Sequence, residues 1–190
     1  MNQLPKRVVK VGGSLFDMPD LGARIQAWID SEPLAFNILI AGGGRLIDEI
    51  RILATDERTA HWLCIERLND TARLLGNLIP SFPMSDSLTQ LDQSKSIGVI
   101  LLPALWLREI EPKFPGTRLV ETSDVTSDSI AARIAITQHA SEMVLFKSAD
   151  PPSANLHHLA DAGFIDSFFP NLASELPPLR IINLRKTSDL

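Results

Sequence analysis

The chain has 190 residues, a net charge of −5 and 45 % hydrophobic residues, the size and apolar content of one domain, 1–190, with its own core. The acidic balance argues against nucleic acid or an anionic membrane as the main partner, because phosphate-rich surfaces recruit basic faces. No stretch is apolar enough for a signal peptide or a bilayer span, so a cytoplasmic location is expected; the one cysteine, Cys64, excludes an intramolecular disulfide and reads as a core residue.

Arg7–Val11 is a β-branched run that ends at Gly12-Gly13, a buried strand feeding a tight turn. Asp17 to Asp20 can cap a helix whose apolar residues Leu21, Ile25, Trp28 and Ile29 fall at helical spacing, with Pro33 closing it. Phe36–Ile40 predicts a second strand, stopped by Gly42-Gly43-Gly44. Leu46, Ile47, Ile50 and Leu53 mark a further helix, and Ala60 to Leu75 a longer one ending near Gly76 and Pro80. Ile97–Leu102 predicts a strand, Ile130–Ala140 a helix and Met143–Phe146 a strand. The tail adds a short helix at Leu156–Ala162 and a strand at Leu179–Leu184. Pro80–Ser96 and Glu111–Ser127 read as irregular. Strands alternating with helices imply right-handed crossovers and a mostly parallel sheet covered on both faces.

Three features carry chemistry. Lys10-Val11-Gly12-Gly13-Ser14 and Ala41-Gly42-Gly43-Gly44-Arg45 are glycine turns after predicted strands. In open α/β sheets, ligands bind beyond the strands' carboxyl ends, and glycines there let backbone N–H groups approach an anion. Ser123-Asp124-Val125-Thr126-Ser127-Asp128-Ser129 reads as an N-cap cluster, and its hydroxyls and carboxylates also suit a site for phosphate, lysine and magnesium. The P-loop, dinucleotide and protein-kinase signatures are absent, as are a metalloprotease motif and a nucleophile elbow. His157-His158 reads as solvated surface, since neighbours on a helix diverge.

Val8 to Leu15, Ala41 to Gly44 and Val125 to Ile130 resemble, in order, the three main motifs of the amino acid kinase superfamily, which includes aspartate, glutamate, acetylglutamate, uridylate and isopentenyl phosphate kinases. The likeness runs from about Val8 to Phe146. Within that superfamily the Val-Thr-Ser-Asp-Ser form is most similar to the small aminomethyl-furan-methanol phosphate kinase of methanofuran biosynthesis and related one-carbon-cluster proteins. Gly163 to Pro170 also resembles that subgroup.

The resemblance implies a three-layer αβα sandwich and phosphoryl transfer from ATP, with Mg2+, to a small-molecule acceptor that already carries a phosphate. Homodimerisation is common in the family. By the same resemblance, Lys10 neutralises the transferring phosphate and Asp128 orients that lysine and the metal shell. Gly12, Gly13, Gly43 and Gly44 donate N–H groups, with Ser14 and Ser127 beside them. Arg45, Arg51 and His61 hold the acceptor, with Arg73 a further choice. The family's Asp-x-Asp-Gly loop is replaced by Lys147-Ser148-Ala149-Asp150-Pro151-Pro152, and the nucleotide-binding half is shortened. Lys147 either supplies a second catalytic lysine or simply ends a strand. The rival reading is a weak or inactive relative that binds a phosphorylated ligand or a partner protein. A uridylate-type kinase ranks lower, because the tail leaves little room for a second nucleotide.

Overall fold

The computed structural model describes residues 4–44, 47, 49–50, 54, 56–89 and 96–186. Six strands form one sheet: β1 (Lys6–Val11), β2 (Phe36–Ala41), β3 (Met84–Ser85), β4 (Gly98–Leu101), β5 (Glu142–Lys147) and β6 (Leu179–Asn183). Their spatial order is β3-β4-β2-β1-β5-β6, and every pairing is parallel. The helices are α1 (Leu21–Ser31), α2 (Glu57–Leu78), α3 (Ser127–Thr137) and α4 (Leu156–Asp161). A helical stretch of mixed type over Pro103–Lys113 follows β4.

The core lies on both faces of the sheet. Val8, Ile38, Ile40, Met143 and Leu145 pack with Ile65 and Leu68 of α2 and Ile130, Ala131 and Ile134 of α3. Their strand neighbours Val9, Val11, Leu39, Val144 and Phe146 pack on the other side with Leu21, Ile25 and Trp28 of α1. Successive strand residues thus serve opposite layers, as the pleat requires, and the result is the expected αβα sandwich. Because both faces are covered, the strands read as continuous apolar runs rather than alternating ones.

Several expectations shift in detail. Asp20 stands at the N-cap of α1 but does not cap it; its carboxylate accepts from Arg24 Nε at 2.7 Å instead. Helix α2 runs through Gly76 to Leu78, and a Cβ at Gly76 would come within 2.8 Å of Met84 Sδ. That glycine marks close packing against the β3 edge rather than a helix end. Helix α3 starts at Ser127, three residues before the apolar pattern begins, and stops at Thr137. Met84–Ser85 forms a short strand within the stretch read as irregular. The helix marked by Leu46, Ile47, Ile50 and Leu53 includes positions outside the described residues. No described helix is long and apolar enough to cross a membrane.

Candidate active site

Residues 8, 10, 143, 145 and 147 alternate toward the layer that contains α3, so Lys10 and Lys147 emerge on the same face near the carboxyl ends of adjacent strands. Asp128, in the first turn of α3, sits between them. Lys10 Nζ lies 2.8 Å from Asp128 Oδ1, and Lys147 Nζ lies 2.7 Å from Oδ2. The Lys147 contact is an aligned hydrogen bond, and Lys147 also donates to the Phe164 carbonyl at 2.6 Å. The Lys10 contact is an ion pair without that alignment, since Oδ1 has no hydrogen-bond partner by angle among the described residues. Lys147 both ends β5 and shares the buried Asp128 carboxylate with Lys10.

Burial pushes the Asp128 carboxyl up, but the ammonium groups of Lys10 and Lys147 outweigh it and hold the carboxyl below the usual range. Lys147 titrates below an ordinary lysine. Burial is the main cause and the Lys10 ammonium the next, partly offset by Asp128 and then Asp166. Each ammonium has three N–H groups. Lys147 spends two on protein, and Lys10 has Asp128 alone within ion-pair distance among the described residues. Donors therefore remain for another set of oxygens.

The two glycine turns interlock in front of this cluster. A Cβ on Gly13 would clash with the Gly44 amide nitrogen and fall 2.7 Å from Gly44 Cα. Gly44 has φ of +68°, in the left-handed region that favours glycine. Among the described residues, no protein acceptor takes the amides of Gly13, Ser14, Gly43 or Gly44. Gly12 departs from expectation. Its N–H donates to the Phe146 carbonyl at 2.9 Å, continuing the β1–β5 ladder, so it is not available to a phosphoryl group. Ser14 Oγ is 2.8 Å from Ser148 Oγ and joins the first turn to the end of β5.

A cavity of about 800 Å³ opens on the α2 side of these turns. Gly13, Ser14, Gly42, Gly43 and Gly44 form one wall, and Val125, Thr126, Ser127 and Ile130 another. His61, Cys64, Ile65, Arg67, Leu68, Thr71 and Leu74 of α2 line the third, and Phe16, Asp17, Ile47 and Arg185 complete it. Lys10, Asp128 and Lys147 are not lining residues; they adjoin the cavity through Gly13 and Ser127. Cys64 is thus half-buried on the cavity wall rather than in the core.

His61 lines the cavity, and its ring is not a charged donor. Its Nδ1 lies 3.0 Å from the Thr122 carbonyl, which can only accept, so Nδ1 carries the proton. Burial lowers the ring's pKa despite the Thr122 carbonyl and the carboxylates of Glu121 and Glu57. The ring is neutral near pH 7, and Nε2 is a hydrogen-bond acceptor. Arg45 and Arg51 lie outside the described residues. Arg73 is exposed, pairs with Asp70 at 3.1 Å, and does not line the cavity. Among the described residues, the arginines that line it are Arg67 and Arg185. Arg67 pairs through Nη1 with the same Asp70 at 3.3 Å and has a buried Nε with no hydrogen-bond partner among the described residues, and Arg185 is bonded to Asp17 and the Ser14 carbonyl. Helical spacing from His61 (i, i+3, i+4, i+6, i+7, i+10) would have placed Arg67 on the His61 face of α2.

His157 and His158 are both exposed at the start of α4. The N-cap cluster departs from its expected form: Thr126 stands at the N-cap of α3 but makes no capping bond. Asp166, in the loop after α4, supplies the cap instead. Sequence reasoning did not single out Asp166, whose partners lie about forty positions away in the chain.

The six-stranded all-parallel sheet with helices on both faces matches the fold of solved UMP kinases. Among solved structures, the chain is similar to the UMP kinase of Ureaplasma parvum, with 15 % identity, 97 % of this chain and 92 % of that chain covered, and a TM-score of 0.60. It is also similar to the uridylate kinase of Archaeoglobus fulgidus, with 17 % identity, 95 % and 92 % covered, and a TM-score of 0.58. A third is the UMP kinase of Bacillus anthracis, with 11 % identity, 98 % and 90 % covered, and a TM-score of 0.60. At these identities the likeness concerns the fold. No protein-family model matches the sequence, and no curated protein matches it.

Proposed function

We propose that the chain transfers a phosphoryl group from Mg–ATP to a small acceptor seated in the cavity beside α2. The observation that carries this reading is the sharing of one buried carboxylate by Lys10 and Lys147, 2.8 and 2.7 Å away, behind two glycine turns whose Gly13, Gly43 and Gly44 amides meet no protein acceptor among the described residues. Phosphoryl transfer needs positioned donors around spreading negative charge and little covalent chemistry from the protein. Lys10 and Lys147 supply fixed positive charge, and Asp128 holds their spacing. Gly13, Gly43 and Gly44 supply backbone donors. Magnesium would ride mainly on the nucleotide's own phosphate oxygens, as this ion binds with few protein ligands.

The finer reading is an acceptor that is already a phosphomonoester, with the furan phosphate of methanofuran-linked one-carbon metabolism as the first to test. Arg67, with its buried Nε lacking a hydrogen-bond partner among the described residues, offers a charged donor to the acceptor's phosphate, while Arg185 is paired with Asp17 of the same lining. Ile65, Leu68, Val125 and Ile130 give the cavity an apolar floor for a small ring. Neutral His61 adds an acceptor for a hydroxyl or amine. A second reading, a ligand-binding relative without turnover, draws on the Phe164 carbonyl, which already takes one Lys147 N–H.

The test is transfer of label from γ-labelled ATP to a panel of a furan-methanol phosphate, UMP, simple phosphomonoesters, the matching alcohols and amino acids. Label on a phosphomonoester supports the reading. Label only on an amino-acid carboxylate discards the acceptor class, and binding without transfer to any acceptor favours the second reading.

A further inference from the structure

We propose that Asp166 is a positioning residue for the Lys10–Asp128–Lys147 cluster. In this role the loop after α4 serves as a brace whose carboxylate and backbone fix both the Asp128-bearing turn and the second lysine. The meaning of this for catalysis rests on the phosphoryl-transfer reading; the brace itself does not.

The geometry is specific. The Asp166 carboxylate accepts from Thr126 N at 3.0 Å, Thr126 Oγ1 at 2.8 Å, Ser129 N at 2.9 Å, Ser129 Oγ, and Phe169 N at 3.0 Å. Those donors flank Asp128 on both sides, at positions 126 and 129. The first turn of α3 therefore cannot rotate without breaking bonds to Asp166. Two residues earlier in the same loop, the Phe164 carbonyl accepts from Lys147 Nζ at 2.6 Å, and the Phe164 ring lies 5.3 Å from that nitrogen. Ser167 Oγ donates to Asp124 Oδ1 at 2.8 Å, tying the loop to the segment before α3 as well. One short loop thus touches the partners on both sides of the Asp128–Lys147 bond.

The charges argue the same way. Lys147 faces the Lys10 ammonium from β1, the Asp128 carboxylate from α3 and the Asp166 carboxylate from the loop. Two ammoniums on a single buried carboxylate would leave an excess charge, and Asp166 is the second counter-charge. Burial and the neighbouring Asp128 carboxylate push the Asp166 carboxyl above its ordinary value, against the bonds from Ser129 and Thr126. Removing the Asp166 charge would drive Lys147 further below the ordinary lysine range. A cap that served only α3 would leave the lysine's titration alone.

The experiment uses the full chain labelled with 15N-lysine, with the Lys147 Nζ resonance assigned through Lys147→Arg. In Asp166→Asn, which keeps the size of the side chain and one acceptor oxygen, the ammonium should lose its proton at lower pH than in the wild type. Ser129→Ala, which weakens the cap but keeps the charge, should lower the melting temperature and move that titration less. In the wild type alone, the Lys147 resonance should also respond as the carboxyl signal of Asp166 reports proton uptake on acidification. A Lys147 titration unmoved in folded Asp166→Asn, or a wild-type resonance blind to the Asp166 step, overturns the proposal. Mg–ATP affinity measured in parallel should fall at lower pH in Asp166→Asn than in the wild type. Absence of Mg–ATP binding in both proteins would count against the kinase reading, and the Lys147 titration would still decide for or against the brace.

Discussion

Asp128→Asn removes the carboxylate that lies between two nearly buried ammonium groups. The side chains of Lys10 and Asp128 are each 6 % exposed and that of Lys147 is 12 % exposed, so water cannot replace the lost partner. Breaking a buried ion pair by removing one member costs about 3–5 kcal/mol. Asparagine keeps one oxygen for Lys147, which places the expected loss near the lower end, about 3 kcal/mol. A domain with a total stability of about 5–15 kcal/mol survives that and folds.

The loss should also depend on pH, with a sign fixed by the two shifts. The Asp128 pKa is depressed on folding, so its contribution is present above the ordinary carboxylate value and is lost as pH falls through the lower folded value. At high pH Lys147 gives up its proton below the ordinary lysine value, and the unpaired charge disappears. The stability deficit of the variant is therefore widest in the middle of the range and narrows at both ends. Urea unfolding of both proteins at a series of pH values measures it. A deficit under about 1 kcal/mol at neutral pH, or one that stays flat with pH, would refute the account of the cluster.

Gly13→Ala should cost more stability and more ligand affinity than Gly44→Ala, because the new Cβ meets the Gly44 backbone. Gly44→Ala makes only an ordinary contact, with Gly13 O at 3.6 Å, and carries mainly the left-handed backbone cost of about 1–2 kcal/mol; thermal melts of the two variants decide the order. His61 is held neutral by burial, so the native state takes up its proton less readily than the unfolded chain. Stability should decline as pH falls below the ordinary value of 6.5, and His61→Asn should flatten that part of the urea-stability profile. Arg67→Ala should raise the acceptor's KM about tenfold or more while leaving Mg–ATP affinity unchanged, since a charge-assisted hydrogen bond is worth about 1.5–3 kcal/mol. A fall in ATP affinity instead would reverse the assignment of the two sides of the site.

Five of the six strands were legible as short apolar runs, β1 and β2 stopped by glycines, because parallel strands buried on both faces leave that mark; the two-residue β3, Met84–Ser85, was too short to show it. Lys10 and Asp128 were legible through motif likeness. The meeting of Lys10 and Lys147 on Asp128 was not, because it depends on the β1–β5 register, which sets Lys10 beside Leu145 and Lys147 two positions further along the same face. Gly12 was misread because strand-end glycines look alike in sequence, whether the amide closes a ladder or stays free. The tautomer of His61 turned on a carbonyl sixty-one positions away, and its lowered pKa on burial that the sequence does not display. Asp166 stayed hidden for a similar reason: a cap supplied across the fold leaves no local spacing signal, and the hydroxyls beside Asp128 suggested a self-contained cap. Arg133 was likewise invisible. It sits in an apolar helix pattern yet is fully buried, 2.8 Å from Glu111.

The central claim is that Lys10 and Lys147, spaced by Asp128, receive the phosphate oxygens of a nucleotide. Titration calorimetry of Mg–ATP into wild-type protein and Lys10→Met tests it most directly. The account predicts measurable binding to the wild type at or below millimolar ATP and affinity at least about tenfold weaker in Lys10→Met, the loss expected for one charge-assisted contact. No binding to the wild type at millimolar ATP, or equal affinity in the two proteins, would contradict it.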